Sequence, residues 1–311
     1  MTPIPAPHRL SSHRYADSSE QERGLIGWEQ RYAQCDPGPY AGRIDRLELP
    51  GLAISRESVA CAVEQSTAPP AGRVIFCQTL VPAGPWRFNA QSCMAGLTGF
   101  IRGGEEHLAV LPAGAEVLMV EADTELLARD LGEPPRSLLL ETAFLALPEA
   151  AEIRALAEWF ALLLREPAPM SALIPDLMLY NLGRLWGRTR REARALAPAC
   201  RADYRIFRRA EALARDGALE TPTVSALAAA LDLEVPALRR AFLNTTGLGP
   251  TDWLRRYRLD GARRALLAAP PERTVTEIAM AWGFTHLGRF SAAYGAQFGE
   301  SPSATRKRAR P

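Results

Sequence analysis

Lysine is almost missing from this chain. Of its 37 basic residues only Lys307 is a lysine, a bias read as codon usage rather than chemistry. Histidine is scarce too, at four in 311 residues. No H-x-H occurs, and the strand-rich part of the chain offers only His107, beside Glu105 and Glu106. A metal site needs several histidine and carboxylate ligands converging on one ion. None is expected, and His107 reads as part of a solvated turn. The five cysteines, Cys35, Cys61, Cys77, Cys93 and Cys200, are scattered, with no C-x-x-C. They read as free thiols in a reducing compartment, not as a disulfide frame or zinc site. No apolar run reaches the roughly 18 residues that suggest a membrane span. The first residues lack an apolar core segment, so no secretory signal is expected and a cytoplasmic location is. There is no G-x-x-x-x-G-K-[ST], no Ser/His/Asp arrangement in motif context, and no histidine placed to activate a cysteine. No catalytic residue, cofactor or enzymatic activity is expected.

What is present begins with an uneven charge. The formal net charge is +2. Residues 1–200 hold 19 arginines against 24 acidic residues, whereas residues 201–311 hold 18 basic against 11 acidic. A basic C-terminal third on an acidic body is the electrostatic footprint of a nucleic-acid-binding domain. The length suits two domains of ordinary size.

The hydrophobic period divides the chain the same way. Residues 25–130 carry short apolar runs broken by Gly and Pro, such as "GRVIFCQTLVPAG" and "EHLAVLPAGAEVLMVEA". These spell strands, and many strands without helical patterns between them suggest a sandwich or small barrel. The first 24 residues read as a loose arm. From about Leu147 the period turns helical. Ile153, Leu156, Ala157, Phe160 and Leu164 share one helix face. A second helix follows, with Pro175 near its start and Leu177, Tyr180, Leu185 and Trp186 apolar. These two helices either cap the β domain or offer a dimer surface, and the first is the candidate surface. Residues 188–201 read as a hinge.

Beyond Tyr204 the chain repeats. "TVSALAAALDLEVPALRRAF" (Thr223–Phe242) aligns with "TVTEIAMAWGFTHLGRFSAAY" (Thr274–Tyr294). Thr223, Leu227 and Leu231 meet Thr274, Ile278 and Trp282. After one inserted residue, Leu238 and Phe242 meet Phe290 and Tyr294. Each unit closes alike, as "TGLGP" and "FGESP". Two short helices with a turn between them, twice over, spell tandem helix-turn-helix motifs. Gly283 suits a positive-φ turn, and Asp232 holds the same place in the first copy, being a residue type that tolerates that conformation. Trp282 and Phe290 are expected to be buried between the helices of the second motif, with Phe284 packing the turn and Leu287, Phe290 and Tyr294 on the inner face. The start of each second helix should reach DNA. The candidate contacts are Pro236, Ala237, Arg239 and Arg240 in the first motif. In the second they are Thr285, His286, Leu287 and Arg289. Residues 201–311 are expected to fold alone.

The stretch from about Tyr204 to Arg306 resembles the AraC/XylS family of transcription regulators. The carrying residues are the repeat, the helix "WLRRYRLDGARRALL" (Trp253–Leu267), and "AMAWGFTHLGRFSAAYGAQFGESPS". At Ala292 many members carry arginine, which puts one DNA contact in doubt. The segment Gly27–Ser58 and "WGFTHLGRF" resemble, more loosely, the subgroup that regulates ethanolamine-utilisation operons. The resemblance implies an α+β chain. A cupin-like β-barrel with two helices at residues 25–197 would bind an effector and dimerise. An all-α domain at residues 198–311 would carry two helix-turn-helix motifs on a linker helix. It also implies double-stranded DNA and RNA polymerase as partners, a homodimer, and activation of a small-molecule catabolic operon. Trp86 and Arg87, after the turn in "PAGPWRFN", are candidate ligand-binding residues, one apolar wall and one polar anchor. The alternative is a ligand-independent regulator whose N-terminal domain only dimerises or meets a protein partner.

Overall fold

The computed structural model describes residues 9–80, 84–94, 96–138, 144–147, 151–165, 173–192, 194–195, 197–215, 222–270 and 272–308. The strand-rich part runs β1 (Arg9–Tyr15), α1 (Ser18–Gln21), β2 (Glu29–Gln34), β3 (Gly42–Leu49), β4 (Leu52–Val59), β5 (Val63–Ala68) and β6 (Arg73–Thr79). It continues with β7 (Trp86–Phe88), β8 (Gln91–Cys93), β9 (Thr98–Arg102), β10 (His107–Leu111), β11 (Glu116–Asp123), α2 (Thr124–Leu131), β12 (Phe144–Leu147), α3 (Ala151–Arg165), α4 (Leu173–Glu192) and β13 (Arg194–Ala195). The helical part holds α5 (Pro198–Arg215), α6 (Val224–Ala230), α7 (Val235–Thr246), α8 (Pro250–Ala268), α9 (Val275–Ala281), α10 (Leu287–Phe298) and α11 (Pro302–Arg308).

Among the described residues the strands form two antiparallel sheets. One has the order β1-β3-β4-β11-β6-β9-β12-β13 and the other β2-β5-β10-β7-β8. The expected cupin-like domain is therefore an open sandwich of two sheets, helices following as expected. Successive residues of a strand point to opposite faces, and here both faces of the larger sheet are covered. Ile75, Cys77, Ile101 and Met119 pack toward the smaller sheet with Trp86 and Phe88. Phe76, Phe100, Leu118 and Val120 pack toward α3 and α4. That is why "VIFC" and "VLMV" read as unbroken apolar runs. All five cysteines are free. Burial pushes Cys77 and Cys93 up to about 12 and Cys61 up to about 11.

Three expectations are corrected here. Residues 9–15 of the supposed arm pair with β3 along their length, Arg9 opposite Glu48 through Tyr15 opposite Gly42. Asp17 then caps α1, accepting from the Ser19 amide at 2.9 Å. Residues 1–8 lie outside the described residues. The supposed hinge is mostly ordered structure, since α4 runs to Glu192 and α5 begins at Pro198. The apolar face of α3 is not a free dimer surface. Ile153, Leu156 and Phe160 are at most 1% exposed and belong to the core under the large sheet. Among the described residues the large apolar side chains left outside on α3 and α4 are Leu162, Leu177 and Tyr180.

Candidate nucleic-acid interface

The repeat is built by the same devices twice. Thr223 and Thr274 are both helix N-caps, their hydroxyls accepting from the amides of Ala226 at 3.2 Å and Glu277 at 3.1 Å. In the second copy Glu277 returns the contact, accepting from the Thr274 amide at 2.7 Å and closing a capping box. Asp232 and Gly283 sit in the left-handed region at φ 54° and 78°. Leu227, Ile278, Leu238, Phe290, Phe242 and Tyr294 are all buried. Gly247 and Gly299 end α7 and α10 with φ 79° and 70°, and Pro250 and Pro302 open the helices that follow. The second turn is one residue longer, as the shifted alignment requires.

The start of each recognition helix faces outward. Pro236, Arg239 and Arg240 are exposed and Ala237 is half-buried. Thr285, His286, Leu287 and Arg289 are all exposed. Neither α7 nor α10 has a side-chain cap hydrogen bond at its N-terminus. Arg239 and Arg289 have no partner among the described residues. Arg240 is partly committed, its Nε 3.5 Å from Asp203, which also accepts from Asn244 at 2.7 Å. Two residues expected on the inner face lie elsewhere. Leu287, at the first turn of α10, is 37% exposed, which suits a groove contact better than a core.

Trp282 is the other. It is only half-buried, and its ring packs on α8 beside the core of the second motif. A methyl group at Gly261 would stand 2.1 Å from its ring. A glycine in mid-helix costs about 1 kcal/mol against alanine, and here it makes room for an indole. Trp282 meets Tyr257 edge-on at 5.8 Å, and Tyr257 stacks on Trp253 at 5.3 Å. Trp253 in turn packs against Phe242 and Phe207. A continuous row of rings along α8 thus joins the two motifs.

The two candidate ligand residues point to opposite sides of one strand. On β7, Trp86 points into the core, 4% exposed, its indole donating to the Met94 carbonyl at 3.2 Å. Arg87, next along the strand, points the other way and lies against Gly247 at the end of α7. His107 is not in a solvated turn. It is 2% exposed, with Nδ1 2.9 Å from the Asn89 amide nitrogen. Burial lowers it to about 4, so it is neutral at physiological pH. Its neighbour Leu108 was missed by sequence reasoning. It is 1% exposed and belongs to the core of the first motif, with Phe207, Leu238, Phe242 and Trp253. The first motif is therefore completed by a residue from strand β10, against the expectation that residues 201–311 are self-sufficient.

Two exposed recognition helices held on one linker helix define a tandem helix-turn-helix module. Known proteins agree. Residues 227–308 match the family described as "Helix-turn-helix domain". A "Probable thc operon regulatory protein" of Rhodococcus erythropolis is 43% identical over 82 residues, 26% of this chain and 25% of that protein. A "XylDLEGF operon transcriptional activator 2" of Pseudomonas putida is 41% identical over 71 residues, 22% of this chain and 45% of that protein. These alignments span a quarter to under half of the relatives' length. A solved structure described as a probable AraC family transcriptional regulator from Rhodopseudomonas palustris is 32% identical, covering 34% of this chain and 99% of that one, with a TM-score of 0.32. Over residues 227–308 this chain is thus similar to the helix-turn-helix regions of known transcription regulators.

Proposed function

We propose that the protein is a sequence-specific DNA-binding transcription regulator that responds to a small-molecule effector and activates a catabolic operon. The observation that carries the reading is the pair of outward-facing recognition helices, with Arg239 and Arg240 on one and Arg289 on the other. Two such helices on one rigid linker suit successive major-groove segments about 34 Å apart. Activation is carried over from the relative whose name describes it, and contact with RNA polymerase goes with it. Effector response is supported by the close fit of the β domain against the helices that hold the motifs. The ethanolamine subgroup rests on the segments Gly27–Ser58 and "WGFTHLGRF" alone. Homodimerisation through residues 25–197, with residues 198–311 as the DNA-binding domain, and residence in the cytoplasm complete the proposal. With the α3 face covered, Leu162, Leu177 and Tyr180 take its place as the candidate dimer contacts.

The test is selection of duplex DNA from a random pool by the full chain. A bipartite motif with halves about one turn apart is expected. Failure to enrich any motif, or enrichment of the same motif by a protein carrying Arg240→Ala and Arg289→Ala, removes the reading. A thermal-shift screen of small metabolites, ethanolamine included, addresses the effector, because a ligand bound only to the folded state raises its melting temperature.

A further inference from the structure

Helix α8 turns a charged face to the β domain. Arg256, Asp260, Arg263 and Arg264 stand at i, i+4, i+7 and i+8, a single stripe of a helix. Each arginine is met by a carboxylate from the other domain. Glu64 of β5 pairs with Arg256 and also accepts from the Trp253 indole at 3.1 Å. Asp17, the cap of α1, accepts from Arg263 at 2.9 and 2.6 Å. Glu22 takes Arg264 with both oxygens, each at 2.8 Å. Arg31 of β2 reaches Asp260 at 3.3 Å, so one pair runs in the opposite sense.

The Arg256–Glu64 and Arg263–Asp17 pairs are not surface ion pairs, which contribute little, whereas Arg264–Glu22 and Arg31–Asp260 are partly exposed. The side chains of Arg256, Glu64 and Arg263 are 7% exposed and that of Asp17 is 1% exposed. Despite burial, Arg263 and the Ser19 hydrogen bonds hold Asp17 below the usual carboxylate range. A charge so buried is costly to leave unpaired, which makes the register of the two surfaces specific. The contact also reaches beyond α8 in both directions. Toward the first motif, Leu108 enters its core, Glu106 pairs with Arg208 of α5, and the Tyr204 hydroxyl donates to the Glu106 carbonyl at 3.0 Å. Toward the second, Gln297 of α10 donates to the Gln34 carbonyl at 3.0 Å, and the Gly38 amide donates to the Gln297 carbonyl at 3.1 Å.

The docked domain does not cover the recognition residues. Arg239, Arg240, His286 and Arg289 stay exposed while it is seated. The arrangement is that of a brace rather than a cap. Resting on the proposal that the protein binds a two-segment DNA site, we infer that the β domain sets the spacing and rotation of the two recognition helices. Asp17, Glu22 and Glu64 are the positioning residues. The two motifs meet chiefly through α8, and a single helix held on one side bends and twists less than a free one. The β domain thereby takes part in choosing the DNA site without touching it.

The test places the substitutions on the β domain, so that no DNA contact is altered. The full chain, wild type and with Asp17→Asn plus Glu22→Gln, is titrated with the selected duplex and with duplexes carrying one base pair more or fewer between the halves. One base pair moves the second half by about 3.4 Å and roughly 36°. The wild type is expected to bind the shifted duplexes about tenfold more weakly, and the variant to discriminate by less than about threefold. Asp17→Glu plus Glu22→Asp, which keeps both charges, restores discrimination. If the neutral pair proves unfolded by circular dichroism, Glu64→Gln is read in the same assay. Unchanged discrimination in a folded neutral variant, or no recovery with the charged pair, overturns the brace and leaves the regulator reading standing. A wild type with no preferred duplex overturns both.

Discussion

The first motif buries Leu227, Leu238 and Phe242 together with Leu108 from the β domain, and the Arg87 guanidinium lies against Gly247 where α7 ends. The second buries Ile278, Phe290, Tyr294 and Phe298 with Leu259, Ala262 and Leu266, all from the C-terminal region. It also has the fuller cap, the capping box of Thr274 and Glu277, and the glycine turn where the first copy holds Asp232 in the same conformation. Two copies of one plan have thus settled into different dependencies. The second motif stands on its own core, and the first leans on its neighbour. Sequence similarity between copies reports the shared plan, and the difference comes from which residues of the rest of the chain each copy meets.

The comparison can be pressed hardest at its two cores. Phe290→Ala should cost about 3–5 kcal/mol and melt the second motif, seen by calorimetry as an early transition. A protein of unchanged melting profile would show that this core is not self-contained. Leu108→Ala, a change outside the C-terminal region, should cost about 2–5 kcal/mol. Hydrogen exchange should then rise in α5–α7 and not in α9–α10; the reverse order would break the contrast. For binding, Arg289→Ala should weaken the selected duplex by about 1–3 kcal/mol. Arg240→Ala should weaken it less, because Asp203 already holds part of that guanidinium. Gel-shift titrations of the two variants decide the ranking. Gly261→Ala sharpens the account of the linker. Helix propensity alone favours alanine by about 1 kcal/mol, yet the added methyl meets the Trp282 ring, and overpacking of this kind costs about 1–3 kcal/mol. A stabilised variant would mean that Trp282 moves aside freely. Smallest of all, Thr274→Ala should cost about 1 kcal/mol, and Thr223→Ala less, since only the former ends a reciprocal cap; chemical denaturation of each measures the gap.

The repeat, its caps, its turn residues and its exposed arginines were legible in the sequence because they rest on neighbours a few residues away. Thr223 and Thr274 cap helices they begin, and Gly283 turns where a side chain would be strained. What was not legible depends on distant parts of the chain. The stripe of Ile153, Leu156 and Phe160 announced a buried face but could not say whether a sheet or a second copy covers it. Trp282 held a core position in the repeat, and only the placement of Gly261 on α8 shows where its ring goes. The alternation of Trp86 and Arg87 along one strand was readable, since successive residues of a strand point to opposite faces. Arg256, Arg263 and Arg264 carried a signal as well, a helical stripe of charge, but a stripe of arginine reads equally well as a solvated face. Its carboxylates lie about 190 to 250 residues away, at Asp17, Glu22 and Glu64.

Leu108 has a consequence for how such a chain can be recombined. A boundary drawn at Pro198 follows the order of the chain but cuts through a packed interior. Grafting residues 198–311 onto a foreign β domain would carry both outward-facing helices across and leave behind a leucine-sized hole beside Phe207 and Trp253. A working hybrid needs a host strand that offers an apolar side chain at that place, or a compensating enlargement within the first motif. The β domain and the helical domain of this protein are therefore fitted parts, and an exchange of one imposes a specification on the other.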